Sequence, residues 1–401
     1  MTLNYIGSKK TLLPFLDYVI CSNIQENKGT FGDLFAGTGI VGDYFSKKGF
    51  AVTGNDTENY SYVVNHASLK SSYSKKLEKL INLFNELEGI SGLLHKNYSP
   101  NGDRMFFTED NAKKADAIRT QIEKLKEEKT INENEYYFLL ASLLQSLDKV
   151  ANTTSVYGAF LKKFKKSASK KLTVIPIHKL KNSDKNNVTR KDVLKITDKF
   201  DVIYLDPPYV ARQYGANYCP LNFLVDYDEK IELSGKTGLY KYYKSPFASK
   251  SNAKGAFLEM FKVLTKNCSN IFLSYNNQGI LKLDEMVNIM KEYGDVTTYK
   301  YSYKKYQAVT SRGGDTVEYI HYLKCNGGNN VKQIQITKND NGVLGALSVE
   351  SSSDEESSSG EESASDDESS LDEDDGDNES SSDEETNNAE KKMEEINLNK
   401  E

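Results

Sequence analysis

The chain has 401 residues, with 26 tyrosines, no tryptophan and a formal net charge of −6. That length supports a sizeable core and excludes a small domain that needs covalent staples. Four scattered cysteines without metal spacing argue against a zinc site, and the lack of a long apolar run or leader-like segment points to a soluble intracellular protein.

The net charge hides two unlike parts. Of the 58 acidic residues, 22 lie at or beyond Glu350, against three lysines, so residues 1–349 carry +13. A body of that charge suits a polyanionic partner, although plain solubility would also explain it.

After a turn at Gly7-Ser8-Lys9, residues Leu12, Leu13, Phe15, Leu16, Val19 and Ile20 recur at helical spacing. The run Phe31-Gly32-Asp33-Leu34-Phe35-Ala36-Gly37-Thr38-Gly39-Ile40-Val41-Gly42 reads as a short strand, a tight turn and a helix start. Its glycines permit positive φ and close backbone approach to a ligand, as in a dinucleotide site, or serve a plain turn. The next strand, residues 50–55, is followed by Asp56, an acid suited to ribose hydroxyls.

Residues 71–150 read as mostly helical, with Leu77, Leu80, Ile81, Phe84 and Leu87 in one stripe and Ile118, Ile122 and Leu125 in another. The denser run 136–147 reads as a buried helix, and 91–111 as a polar loop. Further on, Tyr157, Phe160 and Phe164 interleave with Lys162, Lys163, Lys165, Lys166, Lys170 and Lys171. That pattern fits a nucleic-acid backbone with unstacked bases, or a solvated face.

Phe200-Asp201-Val202-Ile203-Tyr204-Leu205 reads as a buried strand that stops at Pro207, which cannot donate to a ladder. Asp206-Pro207-Pro208-Tyr209 therefore stands at a strand's carboxyl end, the ligand edge of an open α/β sheet. A carboxylate and a carbonyl together can accept both hydrogens of an exocyclic amino group, and the tyrosine offers a flat face to a base.

A long polar, aromatic-rich stretch follows to residue 252, then a helix at 255–264 and a strand at 270–275. Strands at 296–303 and 317–323 form a closing hairpin, with Lys304, Lys305 and Arg312 towards its turn, placed for phosphate contact or merely exposed. Residues 346–390 are a Ser/Asp/Glu segment that buries nothing and is expected to be disordered. Its serines precede acids, as acid-directed kinases require.

Three pieces together resemble a known family. Asn4-Tyr5-Ile6-Gly7-Ser8-Lys9-Lys10, the loop 33–39 and the motif 206–209 are similar to the signature motifs of Dam-type, alpha-group N6-adenine DNA methyltransferases. Arg212-Gln213-Tyr214, Asn217-Tyr218, Gly235-Lys236-Thr237-Gly238 and Ser274-Tyr275-Asn276-Asn277 further resemble restriction-system methylases of the FokI and NlaIII kind. The likeness spans roughly residues 1–325.

It implies an α/β, Rossmann-like, seven-stranded methyltransferase fold dependent on S-adenosylmethionine. Residues 1–70 and 186–330 would form its two parts, 71–185 an inserted helical lobe for DNA recognition, and 340–401 a disordered acidic tail. The implied reaction is site-specific methyl transfer to adenine N6 in double-stranded DNA, with no metal. Asp206, Pro207, Pro208 and Tyr209 would be catalytic. Tyr5, Lys9, Asp33, Phe35, Ala36, Gly37, Gly39 and Asp56 would hold the cofactor. Asp192 would lie near the cofactor adenine, or else cap a helix at a strand end. DNA would meet Lys162, Lys163, Lys165, Lys166, Arg212, Tyr214, Lys304, Lys305 and Arg312. A monomer is expected, with a cognate endonuclease as implied partner. An RNA adenine methylase and a catalytically silent DNA-binding protein of the same fold remain alternatives.

Overall fold

Along the central strands apolar side chains point to both faces, so the sheet is covered on each side. In the computed structural model, which describes residues 3–182, 184–303, 316–338 and 344–350, the strands are β1 (Thr30–Asp33), β2 (Ala51–Asn55), β3 (Asn187–Thr189), β4 (Val202–Leu205), β5 (Asn270–Asn276), β6 (Gly294–Tyr303), β7 (Thr316–Cys325), β8 (Val331–Lys338) and β9 (Leu344–Glu350). They form one sheet in the order β3-β2-β1-β4-β5-β7-β6-β8-β9. Strands β1 to β5 are parallel to one another, and β7 runs antiparallel to both β5 and β6.

The helices are α1 (Leu13–Asn23), α2 (Ile40–Lys47), α3 (Asn59–Leu69), α4 (Lys75–Glu86), α5 (Leu93–Tyr98), α6 (Glu109–Glu127), α7 (Glu133–Asp148), α8 (Tyr214–Asn217), α9 (Cys219–Asp226), α10 (Ala253–Leu264) and α11 (Leu283–Lys291). Ile203, Leu205, Ile271 and Leu273 pack with Phe257, Met260 and Phe261 of α10 and with Met286 and Met290 of α11. Val202, Tyr204 and Phe272, on the opposite face, pack with Phe15 and Val19 of α1 and Phe45 of α2. This period-two division fits strands buried on both sides.

A third core joins α3, α4, α5, α6, α7 and α9 through Tyr60, Phe84, Leu94, Ile118, Phe138 and Phe223. Helix α7 is buried almost all round, as its dense apolar run requires.

Four expectations need correction. The sheet has nine strands rather than seven, with β8 and β9 extending it beyond β1 to β7. Strand β8 pairs parallel to β6 and alternates Ile334 and Ile336 with Gln333, Gln335 and Thr337, polar spacing suited to a sheet margin. Because β9 reaches Glu350, the folded body runs past residue 340, where the acidic tail was expected to begin. The stretch 91–111 holds α5 and the start of α6. Its order comes from a distant partner: buried Asp116 accepts from the amides of Gly92, Leu94 and His95. Likewise the aromatic-rich stretch after Tyr209 contains α8 and the buried α9.

Among the described residues no helix is long and apolar enough to cross a membrane. Lys304, Lys305, Arg312 and the Ser/Asp/Glu segment from 351 onward lie outside the described residues.

Candidate active site

From β1 the chain moves outward to β2 and β3, then returns to the other side of β1 as β4. At such a reversal the loops leaving two adjacent strands diverge and open a crevice at their carboxyl ends. Asp33 ends β1 and Asp206 follows β4 directly, so both carboxylates face one cavity of about 870 Å³, mouth included.

The turn after β1 forms one wall. Gly37 and Gly39 have φ of +51° and +74°, a region that costs a residue with a Cβ about 1–2 kcal/mol. The Gly37 amide donates to Asp56 at 2.8 Å, and its carbonyl accepts from Ser61 at 2.6 Å and Asn65 at 3.1 Å. A Cβ on Gly37 would lie 2.7 Å from the Tyr5 hydroxyl, and one on Gly39 would lie 2.5 Å from Asn65. Asn55 joins three strand ends: its side chain bonds to Leu34, Thr189 and Lys191.

The N-terminal motif forms the adjoining wall. The Asn4 amide donates to Asp148 at the end of α7, and the Ile6 amide donates to Tyr218. Tyr5 stacks on Tyr218 at 5.1 Å and lies 5.5 Å from Tyr214. Lys9, 3% exposed, pairs with the Asp206 carboxylate at 2.8 Å and sits 5.6 Å from the Tyr209 ring centre.

The electrostatics follow from burial. Asp33 is pushed up to about 7 by burial, with Asp206 and Asp56 adding to the rise and the Gly42 amide opposing it. Glu58 is pushed up to about 7 by burial and by Asp56, against a hydrogen bond from Asn222. Burial also raises Asp206, and Lys9 opposes that rise. For Lys9 burial favours the neutral amine, but Asp206, Tyr209 and Glu318 outweigh it and hold the ammonium well above the usual lysine range.

Of the candidate residues, Tyr5, Lys9, Asp33, Phe35, Ala36, Gly37, Asp56, Asp192, Asp206 and Pro208 line the cavity. Gly39 instead starts α2, while Pro207 and Tyr209 stand outside the lining, the tyrosine 5.6 Å from Tyr275. Asp192 does two things: it lines the cavity and accepts from the Leu194 amide at the start of a 3-10 turn. Tyr214, expected on the DNA surface, is placed in the cavity wall, because its hydroxyl bonds the Ile6 carbonyl and its ring stacks with Tyr218. Lys162, Lys163, Lys166 and Arg212 are exposed, whereas half-buried Lys165 donates to the Thr153 carbonyl.

Sequence reading missed Glu58, Gln213, Tyr243 and Phe247, all in the lining. Phe247 meets Phe35 edge-on at 5.3 Å, which a separation of more than 200 residues conceals.

A sheet that reverses between β1 and β4, with a glycine turn on one side of the break and a buried carboxylate on the other, is the architecture of an S-adenosylmethionine-dependent methyltransferase. Residues 5–289 match the family model of the D12 class N6 adenine-specific DNA methyltransferases, and the chain belongs to that family.

Relatives agree. The chain is 40% identical over 337 residues to the type II methyltransferase M.NlaIII of Neisseria lactamica, covering 80% of this chain and 99% of the relative. It is 37% identical over 326 residues to the type II methyltransferase M.CviAII of Paramecium bursaria Chlorella virus 1, covering 80% and 98%. It is 36% identical over 343 residues to the type II methyltransferase M.FokI of Planomicrobium okeanokoites, covering 80% of this chain and 52% of that longer protein.

The residues present fit S-adenosylmethionine. Asp33 Oδ1 is buried without a hydrogen-bond partner among the described residues, an arrangement that a ligand ammonium or hydroxyl would satisfy. Phe35, Val193 and Phe247 line the cavity and would offer apolar wall to an adenine ring, and Asp56 and Glu58 would offer acceptors.

Proposed function

We propose that this D12 enzyme methylates adenine N6 within one specific duplex sequence, with Asp206 and the Pro207 carbonyl as the acceptors for the target amino group. The observation that carries this reading is that Asp206 and Asp33 share one cavity across the β1–β4 break. When bound, S-adenosylmethionine supplies a sulfonium methyl that is already activated, so the protein's task is positioning.

The amino nitrogen of adenine is a weak nucleophile because its lone pair is delocalised into the ring. Accepting both N6 hydrogens at Asp206 and Pro207 favours a pyramidal nitrogen and localises that pair. Tyr209 lies beside Lys9 and offers its ring to an extruded adenine, as enzymes that modify a base must first take it from the stack. Tyr5, Asp33, Phe35, Ala36, Gly37, Asp56 and Asp192 hold the cofactor.

The segment with Lys162, Lys163 and Lys166 is tied to the catalytic side by the Tyr157 amide, which donates to the Asn217 carbonyl. We assign it to phosphate contact, and the lobe 71–185 to site recognition. The relatives are named as type II methyltransferases, which supports a role as the modification half of a restriction system whose nuclease cuts the same sequence. Modified-base sequencing of DNA from cells expressing the protein tests the proposal. One short motif should carry N6-methyladenine at nearly every copy; unmodified DNA, or methylated RNA alone, would refute it.

A further inference from the structure

The ion pair of Lys9 assigns this lysine a role beyond the cofactor cavity. We infer that Lys9 is a positioning residue that keeps the buried Asp206 carboxylate anionic and aimed, so that the adenine amino group meets a charged acceptor. The inference rests on the reading of Asp206 given above.

The geometry is specific. Lys9 is 3% exposed and its ammonium is 2.8 Å from Asp206 Oδ1, with a second bond to the Gly7 carbonyl at 3.3 Å. A lysine so deep in a protein is costly unless it is paired. Lys191, the other lysine in the lining, turns away and pairs with Asp198 at 3.4 Å.

The remaining titratable neighbours of Asp206 are acids and phenols: Asp33 from β1, Tyr204 from β4, and Tyr209 and Tyr214 from the segment that follows. Glu318 of β7, buried and registered opposite Asn276 of β5, adds its charge to Lys9. Lys9 is thus the cation set against several negative or neutral groups. Without it, burial acts on Asp206 unopposed, and the carboxyl keeps its proton to higher pH. A protonated Asp206 has lost the anionic acceptor that the amino group requires. Glu318 pulls the other way, because it shares the Lys9 charge.

The test uses the full-length enzyme with Lys9→Met, Lys9→Arg and Glu318→Gln. Single-turnover methyl transfer is measured from pH 6 to 9.5 at saturating S-adenosylmethionine. Independently of turnover, binding is compared for duplexes carrying adenine or purine, which lacks the 6-amino group, at the target position. Lys9→Met should move the acidic limb of the rate profile up by about one pH unit or more, losing about tenfold at neutral pH and recovering in alkali. Lys9→Arg should restore most of the wild-type profile. Glu318→Gln should move the limb the opposite way, which keeps the inference testable if Lys9→Met does not fold.

The preference for adenine over purine should collapse in Lys9→Met at neutral pH and return at high pH. A Lys9→Met profile of unchanged shape with only a raised KM for S-adenosylmethionine would overturn the inference and leave Lys9 as a cofactor ligand. So would an unchanged limb in Glu318→Gln. Asp206→Asn separates the two levels: full activity there sinks the catalytic reading itself, whereas loss of activity with an unchanged Lys9→Met profile sinks only this inference.

Discussion

The Tyr218 hydroxyl accepts from the Ile6 amide at 2.9 Å and donates to the Asn4 carbonyl at 3.3 Å. One phenol thus fastens the N-terminal motif to the segment that follows Asp206–Tyr209, and Tyr5 is left stacked against the ring that holds it. Tyr218→Phe should keep that stack but leave the Ile6 amide unpaired, at a cost of about 1–2 kcal/mol. The expected result is S-adenosylmethionine affinity lower by about 5- to 20-fold by calorimetry, with little change in DNA affinity. Equal affinities would show that the wall does not depend on this bond.

At Gly37 two penalties coincide. Its φ of +51° disfavours any side chain, and a Cβ would lie 2.7 Å from the Tyr5 hydroxyl. Gly37→Ala should weaken cofactor binding at least tenfold, about 1.4 kcal/mol. Gly235 is a control, since its φ is also positive and nothing lies within 4 Å of a Cβ there. Gly235→Ala should leave cofactor affinity unchanged. Equal losses at both sites would mean that backbone strain alone, rather than the Tyr5 contact, explains the Gly37 result.

Asp33 gives a pH signature. Its carboxyl titrates near 7 in the fold, against an ordinary 3.8, because burial and the neighbouring Asp206 and Asp56 disfavour its charge. The unfolded chain releases this proton near pH 4 and the folded chain near pH 7. Stability is therefore fully present below about 4, falls across that window, and stays reduced above it. Asp33→Asn should raise the melting temperature of the ligand-free protein most at pH 8 and less at pH 5, and should weaken S-adenosylmethionine binding. Thermal melts at the two pH values check the first part; a gain that is larger at pH 5 would reverse the assigned sign.

Much of this site was legible because its carriers are local. Asp33 to Gly39 and Asp206 to Tyr209 are contiguous runs whose strand-then-break pattern puts them at a sheet edge. Strands β4 and β5 and the β6–β7 pair fall where apolar runs predicted them. What could not be read depends on distant partners. Helix α5 exists because Asp116 caps it from α6. Tyr214 looks like an exposed aromatic until Tyr5 and Tyr218 are seen beside it. The pairing of Lys9 with Asp206 joins residues 197 positions apart, and no spacing rule signals it.

The basic segment has its own test. Lys162, Lys163 and Lys166 are exposed, and Lys165 is occupied by the Thr153 carbonyl. Changing the three exposed lysines to alanine should lower DNA affinity across all sequences. The dependence of log affinity on log salt should flatten by about 0.9 for each phosphate that is no longer neutralised. Cofactor affinity should not move. A salt slope identical to wild type would remove this segment from the DNA face.

The most direct test of the catalytic assignment is single-turnover transfer from labelled S-adenosylmethionine to a duplex containing the cognate site, comparing the wild-type enzyme with Asp206→Ala. The wild type should place the label on adenine N6, and Asp206→Ala should bind duplex and cofactor yet transfer at under a hundredth of the rate, a barrier increase of about 2.7 kcal/mol or more. Transfer by Asp206→Ala at more than about a tenth of the wild-type rate, within about 1.4 kcal/mol, would contradict the role given to this carboxylate.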